Sequence, residues 1–290
     1  MSRRNPFVQP LSPFAIWARR LAFFAIPVAL LAIIFERTGM LEIYPVMATF
    51  GASLVLAGAA ILLAFISLAV IWFTGDSGTG HAVGAILLGI MVIAYPGYLG
   101  YKAYKLPAIY DITTDPYDPP RFEAVARLRT REANPVAYSG LVTYTLQRRA
   151  YPEIEAISVT INAQQAYDAA LAVVNKRKWR IVDERPPIAG RREGRIEAIA
   201  LSPIMGFRDD VVIRIRATGA AAAKIDLRSA SRYGFHDFGA NAKRVSDLID
   251  DIDGVTSPDA LERAARRAAR TARTQQKPGE KPAAPQPAKR

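Results

Sequence analysis

Ten residues in the second half of the chain bring together side chains that bind anions or move protons. Arg208, Asp209 and Asp210 form one segment. Arg228, Ser229, Ser231 and Arg232 form a second, and His236, Asp237 and Asn241 close the run. Guanidinium groups close to a helix start, where backbone N–H groups are free, suit an anionic group such as a phosphate or carboxylate. Ser231, His236 and Asp237 are the residue types of a nucleophile, a base and its orienter. Their spacing matches no hydrolase motif, and no G-x-S-x-G elbow surrounds the serine. A structural reading accounts for the same residues. Asp209 or Asp210 would pair with Arg228 or Arg232 across adjacent antiparallel strands and fix their register, while Asp237 caps the following helix and the glycines take positive φ. All ten therefore stand as candidate ligand-binding residues, and none is assigned as catalytic.

Metal and cofactor chemistry finds little material. The chain has no cysteine and two histidines, His81 and His236. That removes thiolate ligands, thiol nucleophiles, disulfides and a multi-histidine site. Asp111, Asp115 and Asp118 lack the spacing and closing glutamate of a calcium loop and read as turn residues. No metal and no cofactor is implied.

The elements that would position the ten residues follow from periodicity. Ile154 to Ile161 alternates as a strand. Asn162 caps a helix running to about Lys176, with Gln165 as its capping-box partner. Strands are expected at Trp179–Asp183, Arg195–Leu201, Asp209–Ala217 and Lys224–Ala230. In the third of these Val211, Ile213 and Ile215 point inward, and Arg214 and Arg216 outward. A last helix after Asp237 repeats Val245, Leu248, Ile249 and Ile252 at i, i+3, i+4 and i+7. Residues 122–150 are ambiguous, with a short helix possible at 122–130. Short connections between successive strands imply an antiparallel sheet with helices on one face. The order is β-α-β-β-β-β-α, and it is similar to a reduced helix-grip arrangement, a class that often holds apolar ligands.

Ahead of this domain lie three apolar spans, about 16–35, 46–73 and 81–101, each long enough to span a bilayer, which needs roughly 20 apolar residues; the first is free of charge over 21–35. Further spans follow the first at once, so it is not read as a signal peptide. Small residues at Ala48, Ala52, Ala85 and Gly89, with Gly51 and Gly58, suit close helix approach. Tyr95, Tyr98, Tyr101 and Tyr104 form an interfacial belt beside Lys102 and Lys105. No Asp, Glu, Lys or Arg lies within 21–35, 46–73 or 81–101, so an ion relay is not indicated. The fold class is α+β, and the chain divides into a membrane domain (1–105), a soluble domain (106–255) and a basic helical, then disordered, tail (256–290).

The net charge of +12 is uneven. The balance is +4 over residues 1–105 (seven basic, three acidic), +2 over 106–255 (22 and 20) and +6 over 256–290 (nine and three). The soluble domain is thus close to neutral, which argues against nucleic-acid binding. Arg3, Arg4, Arg19 and Arg20 before the charge-free stretch 21–35 favour a cytoplasmic N-terminus, which three spans convert into an extracytoplasmic soluble domain.

The runs GRIEAIALSPIMGFRDDVVIRIRA (194–217) and KIDLRSASRYGFHDFGANAKRVSDLI (224–249), with PAIYDITTDPYDPPRF near the membrane exit, resemble the bacterial DUF1499 family. The resemblance covers roughly 106–253. It implies a bacterial membrane-anchored protein and carries over no catalytic residue, because that family's activity is unassigned.

Together these readings describe a multi-pass protein of the bacterial inner membrane. Its soluble domain would lie in the periplasm and bind a ligand or partner: an anionic lipid, an apolar small molecule or an envelope protein, besides the bilayer itself. The alternative is an envelope hydrolase using Ser231, His236 and Asp237.

Overall fold

The computed structural model describes residues 9–188, 193–263 and Arg266. Arg3 and Arg4, and the expected disordered tail beyond residue 266, lie outside these. Residues 258–263 are helical, as Pro258 in a first turn implies.

The three apolar runs form helices α1 (Pro13–Thr38), α2 (Ile43–Thr74) and α3 (Thr79–Lys105), with mean hydropathies of 2.0, 2.9 and 2.0 over their most apolar windows. At 1.5 Å per residue even the shortest is ~39 Å long, enough to cross a ~30 Å hydrocarbon core. Their outward side chains are large and apolar: Val55, Leu62, Trp72 and Phe73 are all well exposed, a surface that lipid would solvate and water would not. The contact seam is made of small residues. Ala18 and Ala22 of α1, Ala60 and Ala64 of α2, and Ala82 and Ala85 of α3 are fully buried against one another. Gly89 is part of this seam, since a Cβ there would lie 2.6 Å from Ile61 Cγ1. The other small residues expected in it are elsewhere: Ala48 and Ala52 are exposed, and Gly51 and Gly58 meet nothing within 4 Å. Four-residue spacing on one helix does not say which face meets a neighbour, and the buried face of α2 is set by Ser53, Ala57, Ala60, Ala64 and Ser67.

The soluble domain contains β1 (Asp111–Thr113), a 3-10 turn (Val125–Leu128), α4 (Leu141–Ala150), β2 (Ile157–Val159), α5 (Ala163–Lys176), β3 (Arg180–Arg185), β4 (Glu193–Leu201), β5 (Arg208–Gly219), β6 (Ala222–Ser231) and α6 (Ala240–Thr256). The expected β-α-β-β-β-β-α order is present from β2 to α6. The capping box also forms: Asn162 Oδ1 accepts from the Gln165 amide (2.9 Å), and Gln165 Oε1 accepts from the Asn162 amide (3.3 Å).

The antiparallel sheet runs β1-β6-β5-β4-β3, and β2 shares the outer edge of β6 with β1. β2 pairs with residues 223–225 and β1 with residues 228–230. β1 and α4 are additions to the expected order. The extended segment after the membrane closes a sheet edge, and α4 is held to it by Gln147, whose amide donates to the Thr113 carbonyl (2.8 Å) and accepts from the Thr113 amide (3.1 Å). Val142, Thr143, Tyr144 and Thr145 are poor helix formers, which is why this helix is weakly marked in the sequence.

Successive residues of a strand face opposite sides of a sheet. Val211, Ile213, Ile215, Ile225 and Leu227 face α5 and α6 and are at most 1% exposed. Val245, Leu248 and Ile252 of α6 complete that core at 0% exposure, so side chains fill the space under the terminal helix. Arg214 and Arg216 do point away from this core. That second face is not open to solvent, however, because residues 114–136 lie across it and leave Arg214 only 5% exposed. Phe122 and Val125 of the covering segment pack on Ile199, Val212 and Ala230. Glu197 receives the amides of Glu123, Ala124 and Val125 (2.9–3.1 Å) and so caps the 3-10 turn.

Domain and bundle touch through the β4–β5 loop. Met205 packs between Ala32 and Val46, beside Phe35, Phe50 and Phe207. The Arg37 guanidinium donates to the Pro203 and Ile204 carbonyls. The start of α1 lies at the opposite end, where the Ser12 amide donates to Ser77 in the α2–α3 turn (3.0 Å). The chain therefore enters the bundle on one side and displays the soluble domain on the other.

Candidate functional site

The ten candidate residues do not form one cluster. The two-residue period of β5 and β6 sends them to opposite faces of the sheet. Asp209, Ser229 and Ser231 face α6, whereas Asp210, Arg228 and Arg232 face the covering segment.

On the α6 side, Asn241 organises a buried polar network. Its Nδ2 donates to Ser231 Oγ (2.9 Å) and the Tyr110 carbonyl (3.0 Å), and its Oδ1 accepts from Ser229 Oγ (2.7 Å). Arg244 donates to Ser229 Oγ (2.9 Å) and pairs with Asp209 (2.5 Å). Asp237 caps α6 as expected, though from ahead of its N-cap: its oxygens accept from the Gly239 (2.8 Å) and Asn241 (2.9 Å) amides. Gly239 is the N-cap itself, at φ 76°, a left-handed conformation that glycine adopts without strain. Burial pushes the Asp237 carboxyl above its ordinary value, against the pull of those two amides.

His236 belongs to neither network. Its Nδ1 accepts from the Phe238 amide (2.8 Å), which leaves the proton on Nε2 to face the Leu106 carbonyl (3.2 Å). Among the described residues no hydrogen bond joins Ser231 to His236 or His236 to Asp237. The residue types of a triad are present, but the relay between them is not assembled. His236 instead ties the approach to α6 to the end of α3.

The outer face holds the ion pairs. Arg228 Nε and Nη2 grip both oxygens of Asp111 (3.0 and 2.7 Å), and its remaining N–H groups reach the Pro120 and Val136 carbonyls. Asp210 accepts from Arg232 (2.7 Å) and from Arg129 (2.7 Å). The cross-strand pairing expected for Asp210 with Arg232 is thus present, while Arg228 is claimed by β1 rather than by β5. Further along, Asp226 pairs with Arg214 (3.0 Å) and Arg216 (2.7 Å), and both arginines also reach Asp118 (2.9 Å each). Asp115 and Asp118 are therefore turn and ion-pair residues: Asp115 Oδ1 accepts from the Asp118 amide, and Asp115 Oδ2 meets Arg216. Among the described residues no group of His, Cys, Asp or Glu has a metal-binding arrangement. Arg208 leaves the domain altogether and faces Glu36 of α1 at 3.6 Å.

One cleft opens above this network. Tyr117, Pro119, Arg121, Phe122, Val136 and Tyr138 line a space of about 330 Å³ with Arg228 beside it. This is at the small end of the ~300–1,000 Å³ range of ligand pockets. The Arg228 guanidinium lies 4.5 Å from the Phe122 ring centre and 5.5 Å from that of Tyr138. The Tyr138 hydroxyl is buried and has no hydrogen-bond partner. Burial, and then the nearby Asp111 carboxylate, push its ionisation well above the ordinary phenol range, so it remains a hydrogen-bond donor. Buried polar groups usually find partners, and an orphaned donor on a residue that lines a cleft is an exception to that rule.

Tyr138, Asp111, Arg129 and Arg244 were not among the sequence candidates. Only Arg244 carries a readable signal, because it lies three residues after Asn241 on the helix face that also bears Val245 and Leu248. Asp111 comes from the three-residue β1, and Arg129 and Tyr138 from the irregular segment after it; periodicity encodes neither path.

Residues 111–252 match the family model described as "Protein of unknown function (DUF1499)". No curated protein matches the chain.

Proposed function

Because its 111–252 domain belongs to the DUF1499 family, we propose that this chain is a membrane-anchored binding module and that the Tyr138 cleft is its ligand site. The observation that carries this reading is the buried, unpartnered hydroxyl of Tyr138, a residue that lines the cleft. The ligand is a small molecule with a hydrogen-bond acceptor, a carbonyl or an anionic oxygen, for Tyr138. Arg121, exposed at the rim and without a carboxylate partner among the described residues, adds a preference for negative charge. Phe122 and Tyr117 supply apolar walls. Of the ten sequence candidates, Arg228 lines this cleft.

Mass spectrometry of small molecules copurifying with the full-length chain tests the proposal. Tyr138→Phe removes a hydroxyl that makes no hydrogen bond within the protein, so stability should change by less than ~0.5 kcal/mol while the ligand is lost. A wild-type chain that carries no small molecule, or a variant that carries it unchanged, overturns the reading.

The proposed location is the bacterial inner membrane, with a cytoplasmic N-terminus and an extracytoplasmic domain. The support is Arg19 and Arg20 at the end of α1 remote from the domain. The native chain has no cysteine, so a single Glu153→Cys probe reports sidedness directly. An impermeant maleimide should label it in intact spheroplasts. Labelling only after lysis would reverse the topology.

A further inference from the structure

A second recess lies in the membrane bundle, at the end remote from the soluble domain. It is an open groove of about 600 Å³ between α1 and the start of α3. Arg19, Arg20 and His81 line its polar part, and Phe23, Phe24 and Pro27 its apolar part. The arginines are set in place by aromatic neighbours. Arg19 lies 5.5 Å from the ring centre of Phe23, and Arg20 lies 5.3 Å from that of Trp17. Every arginine of the soluble domain's buried networks has a carboxylate partner, but among the described residues Arg19 and Arg20 have none. They also mark the level at which α1 leaves the apolar core, since residues 21–35 carry no charge.

The two parts of the groove are separated along the helix. Pro27 is seven residues beyond Arg20, about 10 Å deeper at 1.5 Å per residue. A small inorganic anion would use only the mouth. An amphiphile with an anionic head and an acyl chain would use both parts at once. Basic recesses between transmembrane helices hold anionic head groups because the charge pairing takes place at low dielectric. We infer that this groove is a binding site for an anionic phospholipid of the leaflet remote from the soluble domain. Its phosphate is held by Arg19, Arg20 and the imidazole of His81, and one acyl chain lies along Phe23, Phe24 and Pro27.

Native mass spectrometry of the full chain in detergent micelles, with added phosphatidylglycerol or phosphatidylcholine of identical chains, tests this. The wild type should retain phosphatidylglycerol roughly tenfold better than phosphatidylcholine, and Arg19→Gln/Arg20→Gln should abolish the difference. Inorganic phosphate should not displace the retained lipid. Equal retention of the two lipids by the wild type overturns the site without reference to any variant. An undiminished preference in the double variant overturns the residue assignment. Displacement by inorganic phosphate overturns the lipid in favour of a simple anion. The Tyr138→Phe variant should retain the lipid as the wild type does, so this site and the soluble-domain cleft fail or stand separately.

Discussion

The two faces of β5 and β6 come from the same residues in alternation, yet they are built on different physics. Toward α6 the face is mainly hydrocarbon, with the Asn241 network confined to its end. Toward the covering segment it is largely ionic, with Asp210, Arg214, Asp226 and Arg228 at 5% exposure or less. The apolar face gains from removing hydrocarbon from water, and each contact there is replaceable by another of similar volume. The ionic face gains little from any one pair, because desolvation offsets most of the Coulomb attraction. Removal of one partner, however, strands a buried charge. The ionic face therefore discriminates among ways of laying residues 111–138 across the sheet, whereas the apolar face mainly supplies stability.

This contrast can be broken experimentally. The largest effect is expected for Asp210→Ala, which strands both Arg129 and Arg232. It should destabilise the domain by about 3–5 kcal/mol, measured by denaturation of the full chain in detergent with Trp179 as the fluorescent probe after the two bundle tryptophans are replaced. Asp111→Leu with Arg228→Met, which removes both partners of a pair, should cost far less than either single change. If the double variant were as unstable as the singles, the ionic face would be a source of stability in its own right. Leu227→Ala on the apolar face should cost about 2–5 kcal/mol, depending on how far α6 relaxes into the cavity. Asp237→Ala removes the α6 cap and should cost about 1–2 kcal/mol, visible as faster amide exchange at Gly239 and Asn241.

The smallest effect is in the pH dependence, where Asp115 of the covering segment and Asp237 ahead of α6 differ in sign. Burial pushes the Asp115 carboxyl up, but the Asp118 amide with Lys224, Arg216 and Arg214 brings it below its ordinary 3.8. Its contribution is therefore present above pH 3.8 and is lost as pH falls toward the folded value. The Asp237 carboxyl is raised above 3.8. The folded state then holds that proton more tightly, so stability declines as pH rises from 3.8 through the folded value. Asp115→Asn should flatten the acid limb below 3.8, and Asp237→Asn the slope just above it, in unfolding midpoints collected across about pH 3–6. Slopes of the same sign for both would remove the contrast between these two carboxyls.

The fold was more legible than the site. Val211, Ile213 and Ile215 alternate with Val212, Arg214 and Arg216, so strand β5 could be read directly. The Asn162/Gln165 box marked the start of α5, and the i, i+3, i+4, i+7 repeat marked α6. The short β1 was read only as extended chain, because three residues carry too little periodicity. Helix α4 was missed because its residues prefer strands and its stability comes from Gln147 docking on Thr113. The candidate cluster was legible in composition but not in arrangement. Asp209 and Asp210 are neighbours in the chain, yet one serves α6 and the other the covering segment.

Sequence alone determined the three membrane-length helices, the near-neutral soluble domain and the alternation of its strands, because hydropathy and period are local properties of the chain. Which charged residue meets which was decided only by the tertiary structure. Arg228 pairs with Asp111, 117 positions away, and Tyr138 reaches the cleft wall from an irregular loop. Such partners are chosen by where the chain returns, and the cost of burying an unpaired charge makes that return path specific without leaving a pattern in the sequence.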